Sequence, residues 1–298
     1  MHVNPYLAVI ESSGMWFRAN FHLHAGAEDA CGIYPLDEVV RVYKEAGYQV
    51  LTVSNHDCYT DVAHLSSEYG IRLINGFEYS RNTHMLCIGC KGLIAGDHQA
   101  LIDECTSQEG HVVLCHPNWQ RQGYWSEEAL AELSGYTGIE VLNGVIIRHK
   151  GTGLAEDTWD HLLSRGKLVW GFGNDDFHRW YDIAKSWTMI YARSDQQEDV
   201  QEAIRDGAFY VSSGLVLEEI GFADGVLSLR AAEPGCYPRN YEYSFVGEHG
   251  RLLAKQRARE GRYEIDPAEP YVRVKVMGDQ GYLLLTQPIY HPDRLHRP

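Results

Sequence analysis

The chain has 298 residues, 44% hydrophobic and 22% charged, a balance that excludes a disordered tail, a collagen-like fibre and a coiled coil. Lys and Arg number 26 against 41 Asp and Glu; the resulting charge of −15 argues against long nucleic acid as a partner. No apolar run approaches the ~18 residues of a membrane span. Met1–Ile10 lacks a basic region followed by an apolar core, so no membrane association is expected and the cytoplasm is the expected location. Seven cysteines fit a reducing compartment, and the 15 histidines make their placement the main question.

Trp16–His24 reads as a strand. Leu36, Val39, Val40 and Tyr43 then recur at helical spacing, with Pro35 where a first turn tolerates it and Gly47 where a helix ends. Further strands are expected at Gln49–Asn55, Arg72–Tyr79, His84–Cys90, Val112–His116, Ile139–Asn143, Leu168–Asn174 and Trp187–Ala192. Helical stretches near Asp97–Gln108, Glu127–Leu133, Leu154–Arg165 and Gln196–Asp206 separate most of them. The alternation predicts an α/β protein with a parallel sheet, open or closed into a barrel. After about Gly214 the character changes. Val216–Arg230, Glu242–Ala254 and Tyr271–Tyr290 are short alternating runs broken by Gly and Pro, which predicts a small antiparallel β domain. The expected division is 1–213 for the catalytic unit and 214–298 for the β-rich one.

The chemistry sits at strand ends. Strand one closes with His22-Leu23-His24, and alternation turns both rings to one face, a ready bidentate metal site. The next strand ends at His56, the third reaches Glu78, and the fourth starts at His84. Cys115-His116-Pro117 and Asp176-Phe177-His178 follow. A lone histidine at a strand end is more often a hydrogen-bonded structural residue, and Asp176 alone could be a helix cap. Six histidines and two acids repeating one topological position are a different matter. In a barrel of parallel strands they would converge at the C-terminal face.

This order of motifs resembles the PHP family, the polymerase-and-histidinol-phosphatase domain, over roughly Trp16 to Tyr210. The resemblance implies a distorted (β/α)7 barrel of the PHP type carrying two to three divalent ions. It would place His22, His24, Glu78 and Asp176 on the first metal. Glu78 would bridge to a second, also held by His84 and His116. Asp29, His56 and His178 would hold a third, with Glu28 an alternative to Asp29. Glu78, His116, Asp176 and His178 are the expected catalytic residues. Nitrogen and oxygen ligands without thiolate suit Zn, Mn or Fe and do not choose among them. The sequence departs from the family at Asn20 and Asn55, where Asp is usual; both are expected to support ligands rather than bind metal.

Such a site predicts hydrolysis of a small phosphomonoester by metal-activated water, with a small phosphorylated metabolite as partner. Arg148 and Arg179 are the preferred substrate cations; Arg81, Arg121 and Lys150 lie in comparable loops. Trp119, Tyr124, Trp125 and Trp180 could wall the pocket. The alternatives are a phosphodiesterase or 3′–5′ exonuclease on short oligonucleotides, an amidohydrolase, and a non-catalytic metal- or metabolite-binding module. An amidohydrolase would want a bridging Lys that has no counterpart here. Cys87-Ile88-Gly89-Cys90 lacks the second pair a structural zinc site requires and reads as incidental. The oligomeric state is left open by the sequence.

Overall fold

The computed structural model describes residues 2–11, 13–26 and 31–297. A short helix α1 (Leu7–Glu11) precedes strand β1 (Met15–Asn20). Helix α2 (Leu36–Glu45) starts after Pro35, carries Asp37 and Glu38 in its first turn and Lys44 in its last, and buries Val39, Val40 and Tyr43. These charges complement the helix dipole while the apolar stripe fixes which face packs. There follow β2 (Val50–Thr52), α3 (Ser66–Tyr69), β3 (Arg72–Ile74), β4 (Gly76–Tyr79) and β5 (Met85–Ile88). Next come α4 (His98–Ser107), β6 (His111–Leu114), α5 (Glu127–Glu132), β7 (Gly138–Asn143), α6 (Glu156–Ser164) and β8 (Trp170–Asn174). Asp97 and Ser126 cap α4 and α5 by accepting from the amides of Ala100 and Ala129. β9 (Trp187–Ala192), α7 (Gln197–Asp206) and β10 (Phe209–Ser212) complete this part.

The remaining segment is all β: β11 (Val216–Ala223), β12 (Val226–Ala232), β13 (Tyr241–Gly247), β14 (Arg251–Ala258), β15 (Gly261–Glu264), β16 (Tyr271–Met277), β17 (Leu283–Thr286) and β18 (Ile289–Tyr290). Its ladders are antiparallel, as the alternating pattern predicts.

The strands lie in three sheets. One runs β14-β13-β16-β17-β10-β9-β1-β2-β3, with β18 on β16; a second runs β4-β5-β6-β7-β8; a third runs β11-β12-β15. The expected distorted (β/α)7 barrel is not confirmed, because among the described residues the sheets do not close on one another. At the two seams where ladders would be needed there are isolated bridges, Leu23 with Phe177 and His56 with Glu78. The sheets are also not all parallel. β5 is antiparallel to both β4 and β6, because the short connection after Tyr79 turns the chain straight back. The expected single strand Arg72–Tyr79 is two strands, since the chain leaves one sheet for another at Asn75.

Two features hold the site-bearing end in place. At Gly173 a Cβ would come within 2.5 Å of Val211 Cγ1 and 2.7 Å of Ser186 Oγ, so only glycine lets β8 pack this closely just before the motif Asn174–His178. Beside the first turns of α6, Arg273 of β16 is 1% exposed. Its guanidinium binds Asp160 Oδ1 at 2.8 Å, Asp160 Oδ2 at 2.6 Å and Glu156 Oε1 at 2.9 Å, and Lys275 adds a 2.5 Å bond to Glu156. This network fastens the C-terminal strands to the α/β part.

Candidate metal centre

The ends of β1, β2, β4, β6 and β8, with the start of β5, bring the ligand candidates together. Glu78 is fully buried at the centre. Its Oε2 lies 2.8 Å from His56 Nδ1, 3.3 Å from His22 Nε2 and 3.5 Å from His24 Nε2. Its Oε1 lies 2.8 Å from His84 Nδ1 and 3.7 Å from His116 Nε2. Opposite, Asp176 Oδ1 is 3.2 Å from His22 Nε2, 3.5 Å from His24 Nε2 and 3.4 Å from His178 Nδ1, and its Oδ2 is 3.8 Å from His116. Eight of the expected residues therefore share one site. Asp29 lies outside the described residues.

The grouping differs in detail from the one the resemblance implies. Among the described residues, possible ligand atoms within 4.8 Å of one another fall into the sets His22-His24-Asp176, His56-Glu78-His84, His24-His56-His178 and His22-Cys115-His116-Glu140. His56 thus faces both Glu78 and His178, and His24 belongs to two sets.

Electrostatics follow from this crowding. Burial alone would raise the Glu78 carboxyl, but the imidazoles of His22, His56 and His84 outweigh it and hold Glu78 well below the usual range. Asp176 is lowered in the same way by His22, His24 and His178. Burial works against charge on His22, yet Asp176, Glu78 and Glu140 raise it well above an ordinary histidine. For His24 burial wins, and its value falls to about 4.

Whether these residues suit a metal can be tested on their hydrogen bonding. Among the described residues, buried side-chain atoms with no hydrogen-bond partner include His22 Nε2, both ring nitrogens of His24, His56 Nδ1, Glu78 Oε2 and Asp176 Oδ1. An unpaired buried polar atom costs ~1–3 kcal/mol, so six in one place are not a stable packing solution by themselves. They are all nitrogen and oxygen atoms, and His22 Nε2, His24 Nε2, His56 Nδ1, Glu78 Oε2 and Asp176 Oδ1 lie close to one another, the donor set of Zn, Mn or Fe. The backbone is strained here as well: His116 (φ 29°), Asp176 (φ 55°) and Asp57 (φ 47°) are non-glycine residues at positive φ. Such strain persists where the surroundings over-determine it, as at functional sites.

Asn20 and Asn55 bind backbone and side-chain groups next to the ligand candidates. Asn20 Oδ1 accepts from the amides of His22 and Asp175 at 3.3 and 3.2 Å, and its Nδ2 donates to Tyr43 Oη at 2.9 Å. Asn55 Oδ1 accepts from the Ala25 amide at 3.1 Å and its Nδ2 donates to Ala25 O at 3.0 Å. Both hold the backbone that carries the histidines. Asp57 reaches none of them and instead binds Ser80 Oγ at 2.7 Å.

A cavity of about 260 Å³ opens over the cluster, lined by Trp119, Val145, Ile146, Arg148, His149 and Arg179 besides the ligand candidates. Arg148 donates to Asp182 at 2.9 and 3.2 Å, and Arg179 donates to the His178 carbonyl at 2.7 Å. Both expected cations reach the mouth, but held by partners. Arg121, exposed and outside the cavity lining, lies 3.3 Å from His84 Nε2 and over the Trp119 ring. Tyr124 contacts His116 Nδ1 at 2.9 Å and accepts from the His84 amide at 3.2 Å. Trp180 packs on Tyr34 and Phe177, and Trp125 on His98, both away from this cavity lining.

Sequence reasoning missed two residues. His149 lines the cavity although nothing in its local pattern marks it. Glu140 is fully buried beside His22, and its signal was available: a single acid inside the otherwise apolar run of β7. The Cys-x-x-Cys pair is buried in the core with Cys105.

A solved structure similar to this chain is that of a two-domain protein containing a predicted PHP-like metal-dependent phosphoesterase from Bacteroides vulgatus ATCC 8482. Its TM-score is 0.53 at 17% identity, covering 89% of this chain and 91% of that one. The fold is PHP-like. At this identity the likeness concerns the fold alone, and it spans the C-terminal strands as well as the α/β part. A proposed metal-dependent phosphoesterase from Bifidobacterium adolescentis ATCC 15703 is also similar, with a TM-score of 0.37 at 14% identity, over 54% of this chain and 87% of that one. No family model and no curated protein matches the chain.

Proposed function

We propose that this protein is a metal-dependent phosphoesterase acting on a small phosphomonoester. The observation that carries the reading is the convergence of five buried nitrogen and oxygen atoms without hydrogen-bond partners, one from each of His22, His24, His56, Glu78 and Asp176. His22, His24 and Asp176 would hold one ion, Glu78, His84 and His116 a second, and His56 with His178 a third. Ions held there supply Lewis acidity and a nucleophile drawn from water near neutral pH.

The chain's own residues do the rest. Glu78 presents its two oxygens to opposite groups of histidines and so ties the positions to one another. Tyr124 and the His178 bond to its own turn, Nδ1 to the Asp176 carbonyl at 2.9 Å, fix ring orientations. Arg148 and Arg179 bring positive charge to the rim, where a phosphate would be drawn in. Val145, Ile146 and Trp119 give the cavity an apolar wall. A volume of about 260 Å³ favours a small ester over an oligonucleotide, and the charge of −15 disfavours long polyanions.

The test is phosphate release from a panel of monoesters and one diester with added Mn²⁺, beside Asp176→Asn and His116→Ala. Turnover of a monoester that both variants lose by more than ~100-fold supports the reading, since even partners one bond removed from a metal cost 10–100-fold. Cleavage of the diester alone makes the protein a phosphodiesterase. Full metal occupancy with no turnover makes it a binding module.

A further inference from the structure

We propose that Glu140 is a positioning residue that fixes the ring orientation and tautomer of His22. The proposal rests on the metal-dependent reading above and concerns how one ligand is prepared for its ion.

Four groups converge on the Glu140 carboxylate. Oε1 receives His22 Nδ1 at 2.8 Å and Asn174 Nδ2 at 2.9 Å. Oε2 receives the His116 amide at 2.9 Å and Asn143 Nδ2 at 2.8 Å. Three of the four are donors for reasons independent of Glu140. The His116 partner is a backbone N–H. Asn143 Oδ1 already accepts from the amides of Val145 and Ile146 at 3.0 and 3.1 Å, which turns its NH₂ toward Glu140. Asn174 Oδ1 accepts from the Phe21 amide at 2.9 Å, which orients it likewise.

A carboxylate is acceptor-only and offers about four lone-pair sites. With three taken by fixed donors, the fourth contact requires a hydrogen on His22 Nδ1. The Nε2 lone pair is then left facing Glu78 Oε2 at 3.3 Å and Asp176 Oδ1 at 3.2 Å, inside the cluster. The same count excludes a competing role. His22, Cys115, His116 and Glu140 place possible ligand atoms within 4.8 Å of one another, but Glu140 has no lone pair left for an ion. The network also spans two ligands, because the Glu140 oxygen that receives His116's amide belongs to the carboxylate that orients His22. Asn143 extends it by donating to Asp176 Oδ2 at 3.2 Å.

Glutamine cannot replace this group. Its amide would turn hydrogens against donors that are locked by their own partners. Glu140→Asp keeps the charge but withdraws it by one methylene. The experiment measures zinc affinity by competition with a chromophoric chelator for wild type, Glu140→Gln and Glu140→Asp. The metal-free folding of each is followed by circular dichroism. Glu140→Gln is expected to lower the affinity of one zinc by ~10–100-fold with the metal-free fold intact, and Glu140→Asp to fall between. Nitrogen-15 spectra of zinc-loaded wild type should show His22 protonated at Nδ1 and shifted by metal at Nε2. This arm decides the matter even where both variants fail to fold. Zinc on Nδ1, or wild-type affinity in Glu140→Gln, overturns the proposal. Lowered zinc affinity in a protein that turns over no ester upholds Glu140 and sinks the phosphoesterase reading instead.

Discussion

Two clusters of charged groups are buried in this molecule, and they are built in opposite ways. Around Arg273 each charge meets its complement. The guanidinium spends Nε and Nη2 on Asp160 and Nη1 on Glu156, Tyr271 Oη adds a 3.0 Å bond to Asp160, and Lys275 closes Glu156. None of these side chains has a buried atom without a partner. In the cluster centred on Glu78, six histidines and two acids crowd together and still leave six atoms without a hydrogen bond. A satisfied buried network is a fastening. A crowded one that still leaves buried nitrogen and oxygen atoms without a hydrogen bond is organised for something that is not protein.

That contrast is broken or sharpened first by metal. Binding to the native state alone stabilises by about 4 kcal/mol per site at a free concentration 1,000 times the dissociation constant. Thermal unfolding of chelator-treated protein should therefore shift upward by several degrees on adding Zn²⁺ or Mn²⁺. The shift should be largely lost in Glu78→Gln, which removes the carboxylate shared by the histidine groups. The Arg273 cluster predicts no such dependence. An unchanged melting temperature in wild type across the titration would erase the distinction between the two regions.

The second comparison removes the fastening. Arg273→Met leaves Asp160 and Glu156 without their main partner, and breaking a buried pair in this way costs about 3–5 kcal/mol. At ~2–4 °C per kcal/mol for a chain approaching this size, the melting temperature should fall by roughly 6–20 °C. Metal stoichiometry should stay at the wild-type value. Loss of metal together with stability would show that the C-terminal strands help shape the site.

The two regions also differ in how far the sequence reveals them. His22, His24, His56, Glu78, His84, His116, Asp176 and His178 were legible because each stands at a strand end, and strand alternation with a parallel core carries such ends to one place. What the pattern could not reveal was pairing between sheets. Seams closed by single bridges and an antiparallel β5 depend on how Asn75 and the turn after Tyr79 redirect the chain, and local propensity is silent on that. Glu140 was readable in principle as an acid in an apolar strand, but its meaning depends on Asn174 and His116, which lie 34 and 24 residues away. The Asp160–Arg273 pair, 113 residues apart, has no local signal at all.

The smallest expected effect is in acid, and it separates the clusters by pH window. Burial opposes the charge on Glu156, but Arg273 and Lys275 outweigh it and lower the carboxyl from 4.5. A lowered carboxyl contributes stability that is present above its unfolded value and lost as pH falls through the folded one. In metal-free protein His24 acts in the same direction but over a higher range of pH. Its folded value of about 4 lies below 6.5, so the unfolded state binds the proton first and stability declines as pH drops from 6.5 toward 4. His22 has the opposite sign, since its raised value makes its contribution complete below 6.5 and lost as pH rises through the folded one. Both histidines are present in wild type and in Arg273→Met alike, so their contributions cancel when the two proteins are subtracted. Urea unfolding of the metal-free pair should therefore give a stability gap that is flat above pH 4.5 and narrows below it, as protonation of Glu156 discards what Arg273 had provided. A gap that instead changes between pH 6.5 and 4.5 would mean that the substitution reaches the histidines, and the two clusters would then be a single electrostatic unit.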